Sequence, residues 1–167
     1  EIKMAENITL KHLMEAFAGE SQANRKYSAY AKKAEAEGKV NAAKLFRAAS
    51  EAEAIHAQRH LEVAGKILST ADNLKDAANG ETYEFESMYP EFLKAAEEEG
   101  NKDAVRTFTY AMEAEKVHAK LYKEALEKVD DKEEVFYYLC PVCGNIEKSV
   151  PEKCSICGAP GSKFIKF

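Results

Sequence analysis

Two Glu-x-x-His motifs, Glu53 to His56 and Glu115 to His118, are the residues of this chain best suited to bind a metal. On a helix, a spacing of three residues brings the carboxylate and the imidazole to one face. This donor pair suits iron or manganese. Softer metals prefer cysteine, and all the cysteines lie elsewhere in the chain. Two such motifs, with one glutamate from each of two further helices, can hold a metal pair inside a four-helix bundle.

Five glutamates fall at positions where helical periodicity places core residues: Glu20, Glu53, Glu81, Glu84 and Glu115. An isolated buried carboxylate costs several kcal/mol even after relaxation. Five of them together would repel one another and take up protons unless cations compensated. Two ferrous ions would offset all but one of these charges, and two ferric ions with an oxo bridge would do the same. The glutamates therefore predict a di-iron site that can change its oxidation state by two electrons.

Four helical segments are expected to position these residues, at about 9–37, 41–68, 72–100 and 103–128. Thr9, Asn41, Asp72 and Asp103 are plausible N-caps. Gly38 and Gly100 are natural helix ends. Gly80 and Pro90 should weaken or kink the third helix, and Leu45 is expected in the core stripe of the second. The fold class predicted is mainly α, a four-helix bundle with a small C-terminal metal module.

The two halves of this helical region repeat. Six residues recur 62 positions later, pairing Gly38, Phe46, Glu51, Glu53, His56 and Ala57 with Gly100, Phe108, Glu113, Glu115, His118 and Ala119. Tyr27 recurs as Tyr89 at the same spacing, whereas Gly19-Glu20 recurs as Gly80-Glu81 with a slip of one residue. The repeat predicts a duplicated helical hairpin and a pseudo-twofold site between the halves.

Other interpretations apply to single residues. One Glu-x-x-His match alone would favour a helical protein with a glutamate-rich surface and a chance motif. Two matches in register with the repeat favour a metal site instead. His60 follows His56 by one turn and is more simply a core histidine than a ligand. Tyr27, two turns beyond Glu20, could pack in the core or donate a hydrogen bond to a ligand.

The four cysteines form two Cys-x-x-Cys-Gly motifs: Cys140 and Cys143 before Gly144, then Cys154 and Cys157 before Gly158. So short a module cannot bury enough apolar surface to fold unaided, so the metal must supply folding energy. Four thiolates suit zinc or iron equally, and fusion to a redox-capable bundle favours iron. We expect a bundle domain at 1–129, a linker at 130–135 and the cysteine module at 136–167.

The composition and charge of the chain disfavour nucleic-acid binding, membrane insertion and secretion. The formal net charge of −5 disfavours nucleic-acid binding. No stretch approaches the roughly 20 apolar residues of a membrane span, and the first ten residues lack the apolar run of a signal peptide. Clustered local cysteine pairs in such a chain favour metal ligation over disulfides. We therefore expect a soluble cytoplasmic protein.

The combined motifs closely resemble the rubrerythrin family over essentially the whole chain. The resemblance implies a ferritin-like bundle joined to a rubredoxin-like module, and a peroxidase that reduces hydrogen peroxide in oxidative stress defence. Its electron donors would be rubredoxin and an NAD(P)H-dependent reductase. It implies iron ligation by Glu20, Glu53, His56, Glu81, Glu84, Glu115 and His118, with Tyr27 near the site. Glu20 and Glu81 would be terminal ligands and Glu53 and Glu115 bridging ones, and Glu84 would exchange with His56 as the redox state changes.

Electron counting agrees with that activity, because reduction of peroxide to two waters takes two electrons. One iron acting alone would release hydroxyl radical, whereas two adjacent irons can each supply one electron. The alternatives are a ferritin-type ferroxidase or iron-handling protein, and a structural zinc-ribbon adaptor. The linker spans only roughly 25 Å when extended, so folding back along its own chain would be strained. We therefore expect a homodimer in which the cysteine module docks on a second chain.

Overall fold

The computed structural model describes residues 7–167, which divide into two compact units between Leu68 and Ser69. The first unit contains helices α1 (Ile8–Ala36) and α2 (Val40–Val63). The second contains α3 (Thr70–Tyr83), a π-helical segment (Glu84–Met88), α4 (Tyr89–Glu98) and α5 (Lys102–Glu127). It continues into strands β1 (Tyr138–Leu139), β2 (Ile146–Glu147) and β3 (Ile165–Lys166). Among residues 7–167, no helix is long and apolar enough to cross a membrane.

The first unit is a helical hairpin that turns at Gly38, whose φ of 69° favours glycine. Small residues, including the buried Ala31 and Ala43, let α1 and α2 pack closely. A pair of polar residues locks the two helices together: Asn24 Nδ2 donates to the Ser50 carbonyl at 2.7 Å, and Ser50 Oγ donates to the Asn24 carbonyl at 2.8 Å. Leu45, expected in the core, is 70% exposed, so its core assignment is wrong.

The helix boundaries correct the sequence prediction in two respects. Helix α2 ends at Val63, not near residue 68, because Gly65 takes a left-handed conformation with φ 67°. The N-caps are Asn7, Lys39, Ser69 and Asn101, each two or three residues before the expected one. Asn7, Ser69 and Asn101 accept a hydrogen bond from the backbone N–H three residues later, which is the bond that defines a cap.

The third predicted helix is interrupted, as expected, but not at Gly80, which lies inside α3. The interruption is the π segment, and Pro90 follows it at the start of α4. A π turn accommodates one extra residue in a helix. The one-residue slip of the internal repeat lies between Glu81 and Tyr89, so the π segment is where the second half absorbs its additional residue.

The cysteine module is a three-stranded antiparallel sheet in the order β2-β1-β3. Leu139 pairs with Ile146 on one side and Ile165 on the other. The module packs against α5 of its own chain, where Lys148 forms an ion pair with Glu124. The linker thus folds back within the chain through turns and irregular backbone at residues 128–137, a course that we expected to be strained. The homodimer and docking on a second chain stay predictions.

Candidate metal centres

The first unit brings Glu20, Glu53 and His56 together, with one ligand atom of each lying within 4.8 Å of the others. His56 Nδ1 is 3.0 Å from Glu53 Oε2 and 4.0 Å from Glu20 Oε1. The three residues come from facing positions of α1 and α2. Three donors on two helices can hold part of a metal site, and the exposed carboxylate and imidazole edges leave room for further ligands.

The second unit repeats this arrangement with Glu81, Glu115 and His118. His118 Nδ1 lies 2.7 Å from Glu115 Oε2 and 3.7 Å from Glu81 Oε2. This cluster is less exposed: the His118 side chain is 16% exposed, against 57% for His56. The internal repeat of the sequence is thus a repeat of three-residue donor clusters.

In each cluster, two carboxylates share a hydrogen bond that shifts their pKa values in opposite directions. A hydrogen bond shared with Glu53 raises the pKa of Glu20, while the pKa of Glu53 is lowered. Burial, followed by a hydrogen bond shared with Glu115, raises the pKa of Glu81 to about 7. Burial also acts on Glu115, but hydrogen bonds with His118 and Glu81 outweigh it and leave its pKa lowered. Without a cation, the carboxylates of each cluster therefore share protons, which is what a pair of bound cations would relieve.

Glu84 is the additional carboxylate of the second unit. Burial raises its pKa, and the negative charge of Glu115 raises it further. Its charge in turn raises the pKa of Glu81. Glu84 is the first residue of the π segment, so the inserted residue positions a carboxylate that the first unit lacks, where Ala23 follows Glu20 by the same three residues.

Three aromatic residues and one histidine complete the surroundings. Tyr27 packs its ring against Tyr30 and Phe46, each with centroids 6.2 Å apart, which favours the packing interpretation of this residue. Tyr89 and Tyr122 were not among the predicted site residues. Burial raises the pKa of both phenols, and the charges of Glu81 and Glu115 add to the effect. The repeat of Tyr27 at Tyr89 was the signal that could have identified Tyr89. His60, interpreted as a core histidine, is half-buried, and its electrostatic effect lowers the pKa of Glu20.

His118 connects the second cluster to the cysteine module. Its Nε2 lies 2.8 Å from the Gly144 carbonyl oxygen. A carbonyl can only accept, so Nε2 carries a hydrogen, and Nδ1, which faces Glu81 and Glu115, is the nitrogen that can bind a metal once it has no proton. Metal-binding histidines commonly fix their tautomer in this way. The observed hydrogen bond therefore fits a metal on Nδ1.

The four cysteine sulfurs lie within 4.8 Å of one another. Cys140 Sγ is 3.6 Å from Cys157 Sγ, and Cys143 Sγ is 3.6 Å from Cys154 Sγ. A tetrahedron of metal–sulfur bonds of about 2.3 Å has edges of roughly 3.8 Å. Gly144 and Gly158 have φ of 82° and 75° and donate their N–H groups to the Cys140 and Cys154 carbonyls. The cysteine cage is therefore already shaped for one tetrahedral ion.

Burial and hydrogen bonds shift the pKa values of Cys143, Cys154 and Cys157 in different directions. Burial acts to raise the pKa of Cys154, but backbone N–H groups of Cys157 and Ile156 outweigh it and lower the pKa to about 7. Burial raises the pKa of Cys143 and Cys157. Asn145, with no exposed surface, points Nδ2 at Cys154 Sγ at 3.8 Å. Among these three thiols, Cys154 therefore loses its proton most readily before any metal binds.

The carboxylate clusters predict a pH-dependent stability when their metals are removed and the cysteine site stays loaded. Glu81 holds its proton up to about pH 7 in the folded chain, against 4.5 for the free side chain. His118 is also shifted upwards, because its hydrogen bonds with Glu115 and Gly144 outweigh burial. Both groups bind more protons when folded, so stability should rise as the pH falls from 8 to 5.

Urea unfolding of this partly metal-free protein at several pH values measures the effect. Glu81→Gln should flatten the profile, whereas the exposed Glu86→Gln should keep it. Metal binding should show the opposite trend and strengthen with rising pH, because the ligands must lose their protons. An equally steep profile in Glu81→Gln would contradict the assignment to Glu81.

Comparisons with known proteins agree with this arrangement. The family model described as rubrerythrin matches residues 11–126, and the one described as rubrerythrin, rubredoxin-like domain matches residues 138–165. Nigerythrin of Nitratidesulfovibrio vulgaris is 39% identical over 180 residues, covering 99% of this chain and 89% of that protein. Rubrerythrin-2 of Clostridium acetobutylicum is 36% identical over 179 residues, covering 96% and 97%. The solved structure of partially reduced nigerythrin matches with a TM-score of 0.60, covering 99% and 89% of the two chains.

These matches confirm the predicted fold class, with ferritin-like helices followed by a rubredoxin-like module. They also confirm the predicted cofactors, a carboxylate di-iron site and a four-cysteine iron site. The domain boundaries and the role of each ligand stay predictions. The chain belongs to the rubrerythrin family, whose members are oxidoreductases of oxidative stress defence.

Proposed function

We propose that this protein is a peroxidase that reduces hydrogen peroxide to water, with electrons delivered through the cysteine-bound iron. One observation carries the proposal: His118 belongs to a carboxylate cluster and also donates a hydrogen bond to Gly144, next to Cys143. A ferroxidase has no need of an electron carrier beside its metal site. A structural zinc ribbon has no need of carboxylates with shifted pKa values.

The ligand roles belong to the proposal. Glu20 and Glu81 would each hold one iron, Glu53 and Glu115 would be the shared ligands, and His56 and His118 would complete the set with Glu84. When bound, two irons supply one electron each, so the peroxide O–O bond is cleaved to two waters without release of hydroxyl radical. The chain's own residues must supply the rest: the binding geometry, the two protons and the path for electrons.

Glu84 is suited to the proton transfer. Burial and the negative charge of Glu115 raise its pKa, so its carboxyl group takes up a proton more readily than an ordinary glutamate while it is not a ligand. Its exchange with His56 as a ligand would release that proton beside the site when peroxide oxygen needs it. The phenols of Tyr89 and Tyr122, whose pKa values are raised, stay protonated and can donate hydrogen bonds there.

The electron path runs through His118. The imidazole touches Glu115 and Glu81 on one side and the Gly144 carbonyl on the other. Gly144 is bonded directly to Cys143, so a short covalent and hydrogen-bonded path within one chain joins the two centres. This path supports rubredoxin or a rubredoxin reductase, supplied by NAD(P)H, as the donor. The four unpaired cysteines suit a reducing compartment, so a cytoplasmic location belongs to the same proposal.

The proposal predicts that the reduced protein reacts rapidly with peroxide and slowly with oxygen. Two ferrous irons match the two-electron demand of peroxide, whereas oxygen needs four electrons for complete reduction to water. Stopped-flow mixing of the fully reduced protein with each oxidant at equal concentration measures both rates. Faster oxidation by oxygen would favour the ferroxidase alternative instead.

A further inference from the structure

Asn145 is a polar residue of the cysteine module with no exposed surface. Its side-chain Nδ2 donates to Glu147 Oε1 at 2.8 Å and lies 3.8 Å from Cys154 Sγ. Because a carboxylate can only accept, the amide atom that faces Glu147 is the nitrogen and not the oxygen. The amide nitrogen carries two hydrogens, so one can bond to the carboxylate and the other to the sulfur.

The burial of this side chain has a cost that packing alone does not explain. Within residues 7–167, Asn145 Oδ1 is buried and has no hydrogen-bond partner. An unpaired buried acceptor destabilises a folded chain, and an apolar side chain of similar size would avoid that cost. What the amide supplies, and an apolar side chain cannot, is a hydrogen-bond donor inside the module.

The sulfurs also receive hydrogen bonds from the main chain. The backbone N–H of Asn145 bonds to Cys143, and those of Ile156 and Cys157 bond to Cys154. Any side chain at these positions would keep the backbone bonds. The Asn145 amide adds a side-chain donor at Cys154, so a substitution can remove this one bond while the main-chain bonds stay.

The charge of the cysteine cage gives this donor a preference for one oxidation state. With four thiolates, the cage has a net charge of −1 with ferric iron and −2 with ferrous iron, and one electron from the donor makes the difference. An N–H group aimed at a sulfur stabilises the more negative state more strongly. Cys154 is only 3% exposed, so water screens this interaction weakly. The Asn145 amide therefore favours the ferrous state.

We propose that Asn145 raises the midpoint potential of the cysteine-bound iron by donating a hydrogen bond to Cys154, and that Glu147 holds the amide in that orientation. Glu147 is a positioning residue, because it bonds to the Asn145 amide. Ser155 Oγ donates to the same Glu147 oxygen at 3.3 Å, so the carboxylate is itself held in place. The inference goes beyond the proposed peroxidase, since it requires iron in the cysteine cage and no peroxide chemistry.

A spectroelectrochemical titration of the full-length, iron-loaded protein tests the role of Asn145. In Asn145→Leu, the side chain has a similar size and no donor. At the wild-type midpoint, its ratio of ferrous to ferric cysteine iron should be about tenfold lower, which equals a fall of about 59 mV for one electron. The sulfur-to-iron charge-transfer absorption should also move to longer wavelength, because the sulfur has lost a donor.

Asn145→Ala is the second variant, because its smaller side chain cannot overfill the space, and it should shift the midpoint in the same direction. Ser155→Ala is the matched control. Ser155 is exposed and adjacent to Cys154, but its hydroxyl contacts Glu147, so this variant should keep the wild-type midpoint. The cysteine-iron absorption verifies that each variant is loaded.

A pair of substitutions tests the positioning role of Glu147. Glu147→Gln and Glu147→Ala both remove the negative charge, but only glutamine keeps an oxygen that can accept from the Asn145 amide. The midpoint of Glu147→Ala should therefore lie below that of Glu147→Gln. Equal midpoints in the two variants would reject the positioning role.

Wild-type midpoints and absorption in both Asn145 variants would overturn the proposal. A change confined to their resistance to urea or a chelator would also overturn it, because that result assigns Asn145 a structural role alone. A cysteine cage that takes zinc in place of iron has no midpoint and would overturn it as well. Peroxide plays no part in these measurements, so a failure of the proposed peroxidase would leave the result for Asn145 unchanged.

Discussion

Cys140→Ser/Cys143→Ser should lose at least about 100-fold in NAD(P)H-driven peroxide turnover. Cys140 has no exposed surface, and both cysteines belong to the cage that replaces a hydrophobic core in this small module. Because metal binding supplies the folding free energy of such a module, the variant should lose the cysteine iron and the order of Gly144. The di-iron site would then receive no electrons from the physiological donor.

Two measurements distinguish a loss of electron supply from a general loss of folding or of the di-iron site. The chemically reduced variant should still be oxidised by one equivalent of peroxide in a single turnover, because it retains all its Glu and His ligands. The exposed Ser149→Ala in the same module is the control and should keep the parent activity. Parent-level turnover in the double cysteine variant would show that electrons enter elsewhere.

Glu84→Ala should keep both irons and still lose turnover on the order of 100-fold, the typical contribution of a positioned acid or base. The three-residue clusters of the two units are intact in this variant, so iron binding should persist. What is lost is the half-buried carboxyl group that the π segment adds to the second unit. The variant therefore lacks the ligand that favours the oxidised state, and it lacks the proton that Glu84 would release.

Glu86→Ala is the matched control, because it lies in the same π segment and is exposed. Iron analysis and stopped-flow oxidation by peroxide measure the two properties independently. If Glu84→Ala turns over peroxide at the parent rate, its role as an exchanging ligand is wrong. If it loses iron instead, Glu84 is a structural ligand.

The sequence predicted the features that depend on local spacing. Glu53 with His56, and Glu115 with His118, meet because three residues make nearly one helical turn, so both clusters could be predicted together. The same holds for the cysteine cage, whose two motifs are each local. The one-residue slip near Glu81 was visible in the repeat, but slippage alone does not distinguish a π turn from a loop.

Features that depend on distant contacts were not predictable in this way. The hydrogen bond from His118 to Gly144 joins residues 26 positions apart, and it depends on how the linker bends. The end of α2 at Val63 was missed because Gly65 was not considered as a helix end, although its φ decides it. Leu45 fits a core stripe by spacing, yet no residue of its own hairpin covers it.

The hydrogen bond between His118 and Gly144 has a thermodynamic consequence. If the charge on the cysteine cage changes the strength of that bond, it changes the basicity of His118 Nδ1 and hence the affinity of the carboxylate cluster for iron. Linkage requires the reverse effect to be equal in free energy. Loading the carboxylate cluster must then shift the midpoint potential of the cysteine iron, so a titration of either centre would register the occupancy of the other.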